Sequence, residues 1–121
     1  ITETIKLVGD KISVLAGTAE VTLPTLTAGG SGAVIAVANV FPKMCAELYE
    51  SFKMGDYKKA SNLQRQISHI NEILVKKHNQ LSSIKEALNI LGLPAGYPRM
   101  PALPLEKEEK KKIKDFLKNY V

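Results

Sequence analysis

Residues Gly29-Gly30-Ser31-Gly32-Ala33-Val34-Ile35-Ala36-Val37-Ala38 decide the fold of this 121-residue chain. Gly29-Gly30-Ser31-Gly32 reads as a turn. The six residues after it, 33–38, form an unbroken apolar run. Polar residues do not alternate with apolar ones, so both faces of a strand built from this run should be buried. That is the pattern of a parallel sheet. Two parallel strands alone do not make a stable sheet. The run therefore demands neighbours on its edges and cover on both faces.

Upstream, Ile-Ser-Val-Leu at 12–15 reads as a short strand, and Ala16-Gly17-Thr18-Ala19 as a loop of small residues. Residues 20–28 fit a helix in which Pro24 is tolerated only near the first turn. Residues 2–8 read as the end of a helix with Ile1, Ile5 and Val8 on one face and Gly9 as its stop. Downstream the spacing turns helical. Pro42 suits a first helical position, Met44, Cys45, Leu48 and Phe52 follow at helical spacing, and Gly55 closes the helix. Asp56 is an N-cap candidate for a helix reaching Lys77, with Ala60, Leu63, Ile67, Ile70 and Leu74 as its inner stripe. Ser83 with Glu86 forms a capping-box signature opening a helix over 84–91. Pro94, Pro98, Pro101 and Pro104 make 92–105 an extended, polyproline-like strap. A last helix over 106–119 buries Ile113, Phe116, Leu117 and Tyr120. The expected organisation is two βα units over 1–55 and a helical domain over 56–121. The chain opens on Ile1 inside a stretch that already reads as helix. Together with the missing strands, this predicts a longer protein.

The chain is 45% hydrophobic and 24% charged, which suits a globular protein and excludes wholesale disorder. Cys45 is the only cysteine, so there is no disulfide scaffold, and a lone thiol fits a reducing, cytoplasmic location. Seventeen Lys and Arg against twelve Asp and Glu give a net charge of +5. Nucleic-acid binding does not follow from that charge. Lys110-Lys111-Lys112 lies among Glu106, Glu108, Glu109 and Asp115, acidic early and basic late as a helix dipole prefers, and no aromatic residues interleave. Residues 21–42 carry no charged side chain over a length that could span a bilayer. Pro24, the glycines and several threonines break the stretch into two shorter buried elements, so no membrane span is expected. Ser31 is followed by a strand, not by the helix a phosphate loop needs. His69 and His78 lack ligand partners at metal spacing and read as surface histidines. Cys45, on an apolar helix face, reads as a buried, inert thiol.

Val14-Leu15-Ala16-Gly17, Gly29-Gly30-Ser31-Gly32, Ala36-Val37-Ala38-Asn39-Val40, Pro42-Lys43 and Gly55-Asp56 occur in an order that carries a family likeness. Ile84-Lys85-Glu86-Ala87-Leu88, Leu91-Gly92-Leu93, Pro98-Arg99 and Pro101-Ala102-Leu103-Pro104-Leu105 continue it. Together they resemble the C-terminal part of the dihydrodipicolinate synthase / N-acetylneuraminate lyase family. The resemblance implies an α/β fold: the last two βα units of a TIM (β/α)8 barrel plus a C-terminal three-helix extension. Strand seven would be 12–15, strand eight 33–38, and the eighth barrel helix 42–54. It also implies class I aldolase chemistry, in which a lysine forms a Schiff base with a 2-oxo acid, usually pyruvate, before condensation or retro-aldol cleavage. The resemblance implies a homotetramer and no cofactor beyond the covalent imine with substrate.

The family's Schiff-base lysine, relay tyrosine and carboxylate-binding Thr/Ser pair all precede residue 1 on that alignment, so this chain holds no catalytic residue. Lys6 and Lys11 fall in a helix and a loop and read as surface lysines. The chemistry needs a lysine of lowered pKa at an apolar strand end. A TIM barrel takes about 200 residues or more, so the expected partner is the missing N-terminal barrel half, or a second copy. Sites in such barrels lie at the C-terminal strand ends, which makes Gly17, Thr18, Val34 and Ile35 the substrate-pocket candidates. Glycine admits a ligand close to the backbone. Val34 and Ile35 would wall water from the imine, and Thr18 and Glu20 would reach a substrate tail. Many members carry prolines before the lysine that matches Lys85, where this chain has Leu81-Ser82-Ser83. That departure, with Ala16-Gly17-Thr18 and Gly96-Tyr97-Pro98-Arg99, leans toward a 4-hydroxy-2-oxoglutarate or 2-keto-3-deoxy-acid aldolase, while the synthase is the commoner activity. A non-catalytic interaction module is the expectation of a different class.

Overall fold

The computed structural model describes residues 1–120 and forms two compact units, Ile1–His69 and Ile70 onward. The first unit holds a parallel strand pair with helices packed on it. Helix α1 (Thr2–Val8) half-buries Ile5 and Val8 and ends at Gly9, whose φ of 54° suits glycine. Strand β1 (Leu15–Ala16), helix α2 (Thr22–Thr27), strand β2 (Gly32–Ala33) and helix α3 (Pro42–Lys53) follow. Short 3-10 turns at Ala19–Val21 and Ala36–Asn39 lead into α2 and α3. Pro42 opens α3 as expected. Helix α4 (Tyr57–Asn71) begins with the Asp56 Oδ1 atom accepting from the Lys59 N–H at 3.0 Å.

The strands are much shorter than the apolar runs suggest. Ile12 is exposed and lies outside β1. In the second run only Ala33 is in a strand, and 36–39 curl into a 3-10 turn, with the Ala38 N–H donating to Ile35 O at 3.2 Å and the Val40 N–H to Val37 O at 3.0 Å. Among the described residues β1 is the sole strand partner of β2. Past Ala33 the backbone is held by local i→i+3 bonds at residues 36–39. Within this chain Val34 is 71% exposed.

Gly30 makes the α2–β2 turn possible. Its N–H donates to Thr25 O at 2.8 Å, and the next amide, Ser31 N–H, donates to Val14 O at 2.8 Å. A Cβ at Gly30 would lie 2.4 Å from Thr25 Cγ2 and 2.8 Å from Thr25 O, so no larger residue fits between helix and strand. Under the strands the first unit buries Leu26, Val37, Leu48, Ala60, Leu63 and Ile67.

The second unit buries Ile70, Leu74, Ile84, Ala87, Leu105, Ile113 and Leu117. All five residues of the stripe read from α4 onward are therefore buried, each within its own unit. The Gly55 turn, where the sequence drew its domain boundary, lies inside the first unit. The long helix does not stay α-helical to Lys77. Residues Glu72–Lys76 form a π-helical turn, closed by the Lys77 N–H donating to Glu72 O at 3.1 Å. Helix α5 (Gln80–Ile90) starts earlier than the Ser83–Glu86 signature implies. Asn79 caps it, Oδ1 accepting from the Leu81 N–H at 3.0 Å and the Ser82 N–H at 3.2 Å, and Ser83 is buried inside the helix. The capping box belongs to helix α6 (Lys107–Leu117), between Glu106 and Glu109. The proline strap has no regular structure and is tied to α5. Lys85 Nζ donates to Ala95 O at 2.8 Å, and Asn89 exchanges bonds with Ala95 N–H and Gly96 O, each at 2.9 Å. At the end of α6, Ile113 and Leu117 are buried, while half-buried Phe116 and Tyr120 bring their ring centres within 5.2 Å.

Candidate functional site at the strand ends

β1 and β2 run parallel, with Leu15 opposite Gly32 and Ala16 opposite Ala33. The Val34 N–H extends the ladder to Ala16 O at 2.9 Å. Strand side chains alternate between faces. Leu15, Gly17, Gly32 and Val34 therefore share one face, and Ala16, Ala33 and Ile35 the other. Exposure agrees: Leu15 is 50% and Val34 71% exposed, and Ala16 is 1% exposed. The open face presents two apolar side chains separated by two glycines. A Cβ on Gly17 would meet nothing within 4 Å, so the space beside it is open.

Of the four pocket candidates, the strands bring Gly17 and Val34 together. Thr18 follows at the rim, exposed and extended, its carbonyl accepting from the Val21 N–H at 3.3 Å. The pleat separates Ile35 from them. Ile35 lies on the opposite face, lining a pocket of about 380 Å³ with Thr22, Cys45, Tyr49 and Ile67. Val34 is not among that pocket's lining residues, which corrects the pairing of Val34 with Ile35 as one wall. Thr22 Oγ1, buried in that pocket's wall, has no hydrogen-bond partner among the described residues. Cys45 is half-buried rather than fully buried, and burial pushes its thiol pKa up. Glu20 is half-buried, and Lys6 and Lys11 are exposed.

Two polar contacts escape any reading by sequence spacing. Gln64, on α4, reaches the loop after β1. Its Oε1 accepts from the Leu23 N–H at 2.7 Å, and its Nε2 donates to Ala19 O at 2.9 Å and to Ser68 Oγ at 3.0 Å. In the second unit His78 is not a free surface side chain. Its Nδ1 lies 2.9 Å from Glu109 Oε1 with 13% of the side chain exposed. The carboxyl of Glu109 is held below the usual glutamate range, first by its bond to the Glu106 backbone and then by His78 and Lys112. Among the described residues no three His, Cys, Asp or Glu side chains gather as a metal site. No helix there is long and apolar enough to cross a membrane.

The molecule is thus a helix-rich α/β protein whose parallel strands end on an open face of small and apolar residues. It belongs to the dihydrodipicolinate synthetase family, whose model matches residues 1–120. A 4-hydroxy-tetrahydrodipicolinate synthase from Archaeoglobus fulgidus is 34% identical over 119 residues, covering 98% of this chain and 41% of that protein. The crystal structure of a dihydrodipicolinate synthase from Bacillus anthracis superposes with a TM-score of 0.87 at 29% identity, covering 99% of this chain and 40% of that one. A prophage protein of the dihydrodipicolinic acid synthase family from E. coli K12, solved in complex with pyruvate, superposes at 0.84 with 28% identity, over 97% of this chain and 40% of that one. The chain therefore spans about two fifths of the length of the relatives it matches.

Proposed function

We propose that this chain is the C-terminal portion of a Schiff-base lyase or synthase acting on a 2-oxo acid, of the 4-hydroxy-tetrahydrodipicolinate synthase type. The observation that carries the reading is the open strand face of Leu15, Gly17, Gly32 and Val34. In this reading β1 and β2 are the last two strands of a (β/α)8 barrel and α4 to α6 its appendage. A lysine from the preceding barrel half attacks the keto carbon, water leaves, and an imine forms. The derived enamine then adds to an aldehyde, or the reverse reaction cleaves one off. Leu15 and Val34 keep water from the imine, Gly17 leaves room for the substrate beside the backbone, and Thr18 meets its polar end. The enzyme works in the cytoplasm as a homotetramer and needs no cofactor.

The same reading accounts for the partner. Each strand has one paired edge among the described residues, and bare edges recruit further strands. The preceding barrel half, or a second copy, covers them. Borohydride trapping with pyruvate tests the chemistry. The complete protein should gain one adduct on a single lysine, and the 121-residue chain none. An adduct on Lys6 or Lys11 overturns the assignment. Sedimentation tests the partner, and a monodisperse 13 kDa species with cooperative unfolding contradicts it.

A further inference from the structure

The turn between β1 and α2 carries Gly17 and Thr18, and its internal ties are the Val21 N–H to Thr18 O at 3.3 Å and the Thr22 N–H to Ala19 O. The residue before α2 is Val21, whose side chain offers no acceptor, so the Thr22 N–H turns back to Ala19 O and no side chain of this turn caps the Leu23 N–H. Ala19 is 1% exposed, and its carbonyl accepts from the Thr22 N–H with a second lone pair left for another donor. Gln64 ties the two ends of the turn together, accepting from the Leu23 N–H at 2.7 Å and donating to Ala19 O at 2.9 Å. The remaining amide hydrogen goes to Ser68 Oγ at 3.0 Å. The partners define the amide orientation: flipped, its NH₂ would face an N–H and its oxygen a carbonyl.

We infer that Gln64 is a positioning residue that clamps residues 17–23, so that Gly17 and Thr18 stand ready for the part of the substrate beyond the reacting 2-oxo acid. This rests on the function proposed above. Gln64 itself stays away from the open strand face and acts through Ala19 and Leu23. Its effect therefore falls on the second substrate and spares imine formation.

Two variants separate this role from bulk packing. Gln64→Leu keeps the volume and loses both loop bonds. Gln64→Glu keeps the acceptor for Leu23 but sets a carboxylate oxygen against Ala19 O, and protonation returns a donor. In the complete protein, Gln64→Leu should raise KM for the aldehyde about tenfold, the upper end for one net hydrogen bond, with borohydride trapping of pyruvate unchanged. Gln64→Glu should show the same rise at pH 8 and recover toward pH 5, whereas Gln64→Leu should not recover. Independently of activity, amide exchange at Leu23 should quicken about tenfold in Gln64→Leu. Unchanged KM overturns the inference, as does unchanged Leu23 exchange. Equal loss of pyruvate trapping and aldehyde turnover also overturns it, because that marks a general structural role. A wild-type protein that traps no pyruvate refutes the proposed function, and Leu23 exchange then still tests the clamp.

Discussion

Replacing Gly30 by alanine puts one methyl group into a space that is already full. The new Cβ would stand 2.4 Å from Thr25 Cγ2, 2.8 Å from Thr25 O and 3.0 Å from Val14 O. Rotating Thr25 does not relieve this. Two of the three atoms are backbone, Thr25 is fully buried, and its Oγ1 donates to Val21 O at 2.6 Å. The backbone must move, and with it the two bonds that tie this turn to Thr25 of α2 and to Val14, just before β1. Overpacking costs about 1–3 kcal/mol, and losing one backbone bond costs about 1 kcal/mol more. A stiffer unfolded chain returns about 0.4–1 kcal/mol, leaving a net loss of about 1–3.5 kcal/mol. Urea unfolding followed by circular dichroism would show this as a lower midpoint at an unchanged slope. Gly17→Ala is the control. Its Cβ meets nothing within 4 Å, so stability should hold or rise slightly. A Gly30→Ala protein within about 0.5 kcal/mol of wild type, the range of an ordinary surface change, would refute the packing reasoning.

Glu109, its pKa lowered in the fold, contributes stability that is present above the ordinary glutamate value of 4.5 and lost as pH falls through the lowered folded value. Glu109→Gln should therefore flatten the acid limb of a stability–pH curve measured by urea midpoints. Alkylation of Cys45 at pH 8 should run slower in the folded protein than in urea, because burial raises the thiol pKa and the thiolate is the reactive form. Ile67→Ala empties a fully buried site and should cost about 2–5 kcal/mol by the same unfolding assay.

The helical half of the chain is legible in its sequence because helices carry their signals locally. Pro42 and Asp56 mark starts, Gly55 with its φ of 81° marks a turn, and the 3–4 spacing of Ala60, Leu63, Ile67, Ile70 and Leu74 marks the buried side. The capping box was legible as a type and misplaced. Asn79 outcompetes Ser83 because its Oδ1 reaches two amides at once, and Glu106 with Glu109 forms the box without a Ser or Thr. The strands were legible as places, not as lengths, since extension depends on a neighbour that local pattern does not supply. Val34 and Ile35 looked alike as apolar residues, and only the pleat assigns them to different faces. Gln64 and His78 were invisible as partners for a simpler reason. Their contacts bridge 41 and 31 residues, and no local spacing encodes them.

The π-helical turn at Glu72–Lys76 says how this chain tolerates changes in length. A turn that closes over five residues takes up one more than an α-turn while letting the helix continue. Deleting a residue within 72–76 would let that stretch close as ordinary α-helix and leave Asn79 at the head of α5. The same deletion between Ala60 and Ile70 would rotate every later residue of the stripe by about 100° and turn Ile70 away from its buried position. Shortening by one residue is thus absorbed in this turn and not in the helix before it, so natural variants that differ by a single residue should place the gap here.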